Sequence, residues 1–277
     1  MASLYTKNWE EHAKHSEVCG ERGRQTIDKS AKDEEMKKLM LLIVLIFCTF
    51  ILGLGYGQPI GGFIYKPEKP NQKGIIYCHG GFANIQIDME FPDVLNYCNN
   101  GFTVLVLKFE DESGNPPDPN RDRIKVKDAA TALRKIFPNL TDVCLVGVSR
   151  GGYVALEAFA YFPNEFKKCV AMIAPTDMEN YDWKIWSALN ASPEFTKMAK
   201  DYFAQTPSPM RLAEAGKYDG SRMLLLYGGK DPICPPQQHC IPLAQKAGCK
   251  YIIFPDASHN VHRLTEAQFA TMRFMQE

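Results

Sequence analysis

Gly147-Val148-Ser149-Arg150-Gly151 sets a serine between two glycines, a spacing suited to a sharp turn that exposes a hydroxyl. Small neighbours are needed there because the backbone is tight and lies close to adjacent elements. The apolar run from Asp142 to Val148 leads into the turn and an alanine-rich stretch from Tyr153 to Tyr161 leaves it, so Ser149 is expected between a strand and a helix. A serine hydroxyl is a weak nucleophile near neutral pH. A general base must take its proton, and a third group must orient that base.

In a strand-turn-helix context of this kind the partners are expected downstream, acid first and histidine second. His239, His259 and His262 follow Ser149. His239 falls in a predicted helix after Pro236, whereas His259 follows an apolar run through Pro255-Asp256-Ala257-Ser258, at the carboxyl end of a strand. His259 is therefore the expected base, with His262 second. Asp231 is the expected acid, because it sits just past the run that starts at Met223, behind the turn Gly228-Gly229. Asp256 shares the His259 loop and reads as a turn residue; Asp177, past the strand ending at Ile173, is the other competitor. Attack on an acyl carbon would create an oxyanion, best stabilised by backbone N–H donors. The amide of Arg150 and the loop His79-Gly80-Gly81-Phe82 are expected to supply them.

Six nearly all-apolar runs must position these groups: 74–78, 103–109, 143–148, 169–173, 223–227 and 250–254. Continuity of that kind means burial on both faces of a mostly parallel sheet. Helices are expected between the runs, at about 86–99, 123–137, 150–162, 236–247 and 261–275. Trp183, Trp186, Phe195, Tyr202 and Phe203 lie in a long interval that reads as a small helical cap, about 175–222. The fold class expected is thus α/β, with helices flanking the sheet and a cap above it.

The 277 residues carry 32 Lys plus Arg against 32 Asp plus Glu, so no excess of positive charge draws the chain to nucleic acid. The nine cysteines are scattered; they form no zinc-ligand spacing, no metal or cofactor is expected, and those in apolar runs read as small buried hydrophobes. Leu39 to Gly57 is free of charge and as a helix would span about 28 Å, close to a bilayer core. A transmembrane anchor at 39–57 is expected, between a polar, flexible tail at 1–38 and a catalytic domain at 58–277. Arg22, Arg24, Lys29, Lys32, Lys37 and Lys38 precede it, against Lys66, Lys69 and Lys73 after it, which places the N-terminus in the cytosol and the domain in the lumen or outside the cell. Seven cysteines beyond the anchor fit a reducing compartment equally well. Asn139-Leu140-Thr141 and Asn190-Ala191-Ser192 match the glycosylation pattern, the second weakened by Pro193.

From about Ile60 onward the chain resembles the catalytic domain of the prolyl oligopeptidase family, within the α/β-hydrolase fold. The resemblance is carried by Tyr77-Cys-His-Gly-Gly-Phe82, Gly147-Val-Ser-Arg-Gly-Gly-Tyr153, Ala174-Pro-Thr-Asp177, Tyr227-Gly-Gly-Lys-Asp-Pro-Ile-Cys-Pro235 and Pro255-Asp-Ala-Ser-His259. It implies acyl-enzyme chemistry on a small ester or peptide, with Ser149, Asp231 and His259 in the triad roles. Two departures stand out: the chain leaves no room for the family's β-propeller, and His79 occupies the position of an oxyanion-donating tyrosine. The alternatives are a membrane-associated carboxylesterase, lipase or thioesterase, and a catalytically silent binding module of the same fold.

Overall fold

The computed structural model describes residues 61–82, 87–109 and 115–277. The tail at 1–38 and the stretch at 39–57 lie outside the described residues. Among the described residues, no helix is long and apolar enough to cross a membrane.

Seven strands form one sheet: β1 (Gly62–Tyr65), β2 (Lys73–Cys78), β3 (Thr103–Leu107), β4 (Asp142–Val148), β5 (Cys169–Met172), β6 (Met223–Gly228) and β7 (Lys250–Phe254). Their order across the sheet is β1-β3-β2-β4-β5-β6-β7. Only β1 runs antiparallel to its neighbour; the other pairings are parallel. Side chains alternate faces along each strand. On β4, Val143 and Leu145 join one apolar cluster while Cys144, Val146 and Val148 join the other, which is why the run is apolar throughout. Helices α1 (Ile87–Asn99), α2 (Pro119–Ile136) and α3 (Arg150–Tyr161) connect the first strands. Short helices α4 (Lys184–Ala188), α5 (Pro193–Phe203) and α6 (Pro209–Glu214) lie in the interval read above as the cap, and α7 (Pro236–His239), α8 (Ile241–Ala247) and α9 (Thr265–Gln276) complete the chain.

Four details differ from the sequence expectation. Double-sided burial fails at β7, where Lys250, Tyr251 and Ile252 are exposed, because β7 is an edge strand with a neighbour on one side only. The four-residue β1 was too short to register as an apolar run. The expected helix 236–247 is two helices, since Pro242 lacks an N–H and its ring crowds the carbonyl four residues earlier. Helix α2 starts earlier than expected, at Pro119: the Asp118 carboxylate accepts the N–H groups of Asn120 and Arg121, and Pro119 supplies a first-turn φ.

Register sets where chemistry can occur. Cys78 at the end of β2 pairs with Gly147, Val148 with Met172, and Gly228 with Phe254. The carboxyl ends of β2, β4, β5, β6 and β7 therefore form one rim, the edge at which open parallel sheets place ligands.

Candidate active site

Ser149 leaves β4 at φ 54° and ψ −119° and starts α3. Its N–H donates to the Met172 carbonyl at 2.9 Å, tying the turn to β5. A Cβ on Gly151 would overlap the carbonyl oxygens of Cys78 and His79, and one on Gly152 would stand 2.7 Å from the Ala174 methyl. The turn works only because the first turn of α3 slides in against the end of β2 without side chains.

Two further glycines close the other half of the rim. The Gly229 N–H donates to Phe254 O at 2.8 Å and the Lys230 N–H to Ala257 O at 2.9 Å, zipping the loop after β6 to the loop after β7. A Cβ on Gly228 would overlap Ser258 O, and one on Gly229 would lie 2.6 Å from Pro255 O. That contact brings Asp231 against His259. The Asp231 side chain is fully buried; Oδ1 accepts the N–H groups of Ile233 at 2.8 Å and Cys234 at 3.0 Å. Its Oδ2 faces His259 Nδ1 at 2.8 Å, and His259 Nε2 faces Ser149 Oγ at 2.9 Å. A carboxylate acceptor at Nδ1 puts the ring proton there, which leaves the Nε2 lone pair to accept from the serine hydroxyl.

The competitors stand elsewhere. Asp256 is exposed and pairs with Lys230 at 2.7 Å. The Asp177 carboxylate is held by Asn180 Nδ2 at 3.1 Å to each oxygen. His262 is buried on a short 3-10 turn, its carbonyl accepting from Gln268, and desolvation pushes its imidazole down to about 4. His239 ends α7, fully buried; Nδ1 accepts from the N–H of Thr176 at 3.0 Å and of Asp177 at 3.2 Å, and burial lowers its pKa to about 4.

On the β2 side, His79 is buried with its ring 4.7 Å from that of Phe109, and its Nδ1–H donates to Gly80 O at 2.8 Å. Gly81 follows at φ +80°. Phe82 meets the cap edge-on, 5.1 Å from Tyr202 and 5.8 Å from Phe195 between ring centroids. Asp231, Cys234 and His259 place their potential ligand atoms within 4.8 Å of one another. The Cys234 thiol is pushed well up by burial, so it stays protonated, and the Asp231–His259 hydrogen bond engages the other two. All seven cysteines among the described residues are free, six of them buried.

Sequence reasoning missed the Arg150 side chain. It named only the backbone amide, whereas the guanidinium is 2% exposed and bound to Asp122 and Gly81. The signal available was a charged residue between two small ones in a turn that buries its surroundings.

Residues 116–277 match the model of the prolyl oligopeptidase family. The acylamino-acid-releasing enzyme of Homo sapiens is 23% identical over 239 residues, covering 76% of this chain and 31% of its own length. This chain thus spans about a third of the length of the curated relatives it matches. In structure it is similar to a Mycobacterium tuberculosis puromycin-hydrolysing peptidase (18% identity, TM-score 0.56, covering 79% of this chain and 36% of that one). It is likewise similar to an esterase of Pyrococcus furiosus (13% identity, TM-score 0.62, covering 81% and 95%).

Proposed function

This chain belongs to the prolyl oligopeptidase family, and on that premise we propose that it hydrolyses a short peptide or ester bond through an acyl-Ser149 intermediate. The observation that carries the reading is the continuous relay from Ser149 Oγ through His259 to buried Asp231, at 2.9 and 2.8 Å. His259 takes the hydroxyl proton as Oγ bonds to the acyl carbon, then returns it to the departing amine or alkoxide. Water repeats the cycle: His259 deprotonates it, the hydroxide attacks the acyl carbon, and Ser149 leaves with the proton. Asp231 holds the imidazole by Nδ1 and balances the charge it gains. The carbonyl oxygen, negative in each tetrahedral intermediate, is assigned to the amide of Arg150 and to backbone of the Gly81-Phe82 loop; His79, whose Nδ1 is turned onto Gly80 O, belongs to the wall of that loop.

Of the similar proteins named above, one is an acylamino-acid-releasing enzyme and one a puromycin-hydrolysing peptidase, which supports a short peptide-type substrate, while the third is an esterase, which supports the ester reading. We place the domain at a membrane through residues 39–57, with the N-terminus cytosolic, on the charge asymmetry of the sequence.

A fluorophosphonate probe tests the nucleophile: wild type is labelled and Ser149→Ala is not, and equal labelling of the two would overturn the assignment. Matched p-nitrophenyl ester and aminoacyl-anilide substrates then separate the bond classes by kcat/KM. The peptidase reading requires the anilide to be turned over by a Ser149-dependent reaction.

A further inference from the structure

Arg150 adjoins the nucleophile, and its side chain is buried in a niche of polar and aromatic partners. Nη2 donates to Asp122 Oδ2 at 2.7 Å and Nη1 to the Gly81 carbonyl at 3.1 Å. The guanidinium carbon lies 4.4 Å from the ring centre of Phe82, 4.6 Å from Phe109 and 4.7 Å from Tyr202. Tyr202 also donates its hydroxyl to the same Asp122 oxygen, at 2.7 Å. Four segments meet on this one group: the loop after β2, the segment just past β3, the α2 helix and the α5 helix of the cap.

Holding them needs a fork. An arginine presents several donors in one rigid plane and stacks on aromatic faces, so a single side chain can grip a carboxylate and a carbonyl while three rings enclose it; an ammonium is one point charge and cannot. The grip on Gly81 counts most for the chemistry. Gly81 stands at φ +80° with no atom of the described residues within 4 Å of an added Cβ; Phe82 holds the turn through its ring contacts, and the Gly81 carbonyl is the backbone handle that Arg150 takes. Amide donors stabilise an oxyanion only when they are aimed in advance at the place where charge develops.

We infer that the Arg150 guanidinium is a positioning residue that fixes the Gly81-Phe82 loop against the nucleophile and locks the cap helix α5 to the same point. The inference rests on the reading of Ser149 as nucleophile and of that loop as oxyanion donor. It goes further by assigning the aim of the donors, and the seating of the cap, to one buried side chain with Asp122 and Tyr202 as its anchors.

The test uses the full chain as wild type, Ser149→Ala, Arg150→Met, Arg150→Lys and Tyr202→Phe. Reactive sites are titrated with a fluorophosphonate, and kcat, KM and the phosphonylation rate are measured per titrated site, with p-nitrophenyl butyrate as substrate. Loss of one oxyanion donor costs about 100-fold or more, so a donor merely mis-aimed in Arg150→Met is expected to lower kcat and the phosphonylation rate together by about tenfold, with KM within about twofold. Arg150→Lys keeps the charge but not the fork and is expected to resemble Arg150→Met. Tyr202→Phe removes one anchor and should shift the same two rates in the same direction by less. If Arg150→Met loses thermal stability or titratable sites while kcat per site stays at the wild-type value, the residue is only structural and the inference fails. Wild-type rates in Arg150→Lys overturn it as well. Should Arg150→Met not fold, an unchanged kcat per site in Tyr202→Phe has the same consequence. Labelling of Ser149→Ala equal to wild type overturns the reading of the nucleophile itself, a result distinguishable from all of these.

Discussion

At Ser149 the backbone is held in a sparsely populated region, φ 54° with ψ −119°, which costs on the order of 1–3 kcal/mol and persists only because the surroundings over-determine it. The neighbouring glycines carry that constraint. Gly151→Ala would drive a methyl into the carbonyls of Cys78 and His79, both backbone atoms of a central strand end, and is expected to destabilise the fold by about 3 kcal/mol or more in urea unfolding. Gly216, at φ +67° with no atom of the described residues within 4 Å of an added Cβ, is the contrast. There Gly→Ala should cost only the left-handed backbone penalty, about 1 kcal/mol. At Asp231 the carboxylate is buried and holds three donors, counting His259. Asp231→Asn keeps the shape but lets an amide N–H face Nδ1, so the ring is held in the wrong tautomer; kcat is expected to fall by about 10³–10⁴ with the circular-dichroism spectrum unchanged.

At the scale of elements, strand ends do the positioning and turn chemistry does the fine placement. His259 reaches Ser149 because β7 ends in step with β6 and the two following loops share backbone hydrogen bonds. A second histidine, His239, serves a structural end: its Nδ1 pins the backbone after β5 to α7, so the ring proton sits on Nε2. Its pKa is depressed to about 4 from 6.5, chiefly by desolvation. Between those values the unfolded chain binds the proton and the folded chain does not, so this contribution to stability is present above about pH 6.5 and is lost as pH falls toward 4. His262 acts in the same sense for the same main cause. Buried Glu157 on α3 is pushed up to about 7 by desolvation and acts in the opposite sense, its contribution lost as pH rises from 4.5 toward 7. His239→Asn keeps an acceptor for the two N–H groups and removes one titration. Urea midpoints of this variant should fall less steeply than those of wild type between pH 6.5 and 4; an equal slope would remove His239 from the account.

On the scale of the whole molecule, the sheet is wrapped by two apolar clusters and carries its site on one rim beneath the cap. The proposed anchor gives a prediction at this scale too: the full chain should partition into Triton X-114 and a version lacking residues 1–57 into the aqueous phase, with partition of both into detergent counting against an anchor at 39–57. Asn139 lies exposed in a turn, so a lumenal domain expressed in a eukaryotic host should lose mass at that site on glycosidase treatment. Reading the residues alone identified the strands around the site, Ser149 and the partners that now lie beside it, because continuous apolar runs report burial on both faces and because a histidine and an aspartate each follow such a run within a few residues. It could not rank β7 as an edge, since an edge strand can be as apolar as a central one, and it could not see the break at Cys240 through a pattern that is periodic on both sides. The sequence ranked Asp231 ahead of Asp177 and Asp256, but the contact of its carboxylate with His259 is made only in the tertiary structure, where two loops meet through Gly228 and Gly229. The same holds for Arg150. Its guanidinium is bound by residues 28, 52 and 69 positions away in the chain, and nothing in the local sequence encodes a meeting that only the folded sheet, α2 and the cap bring about.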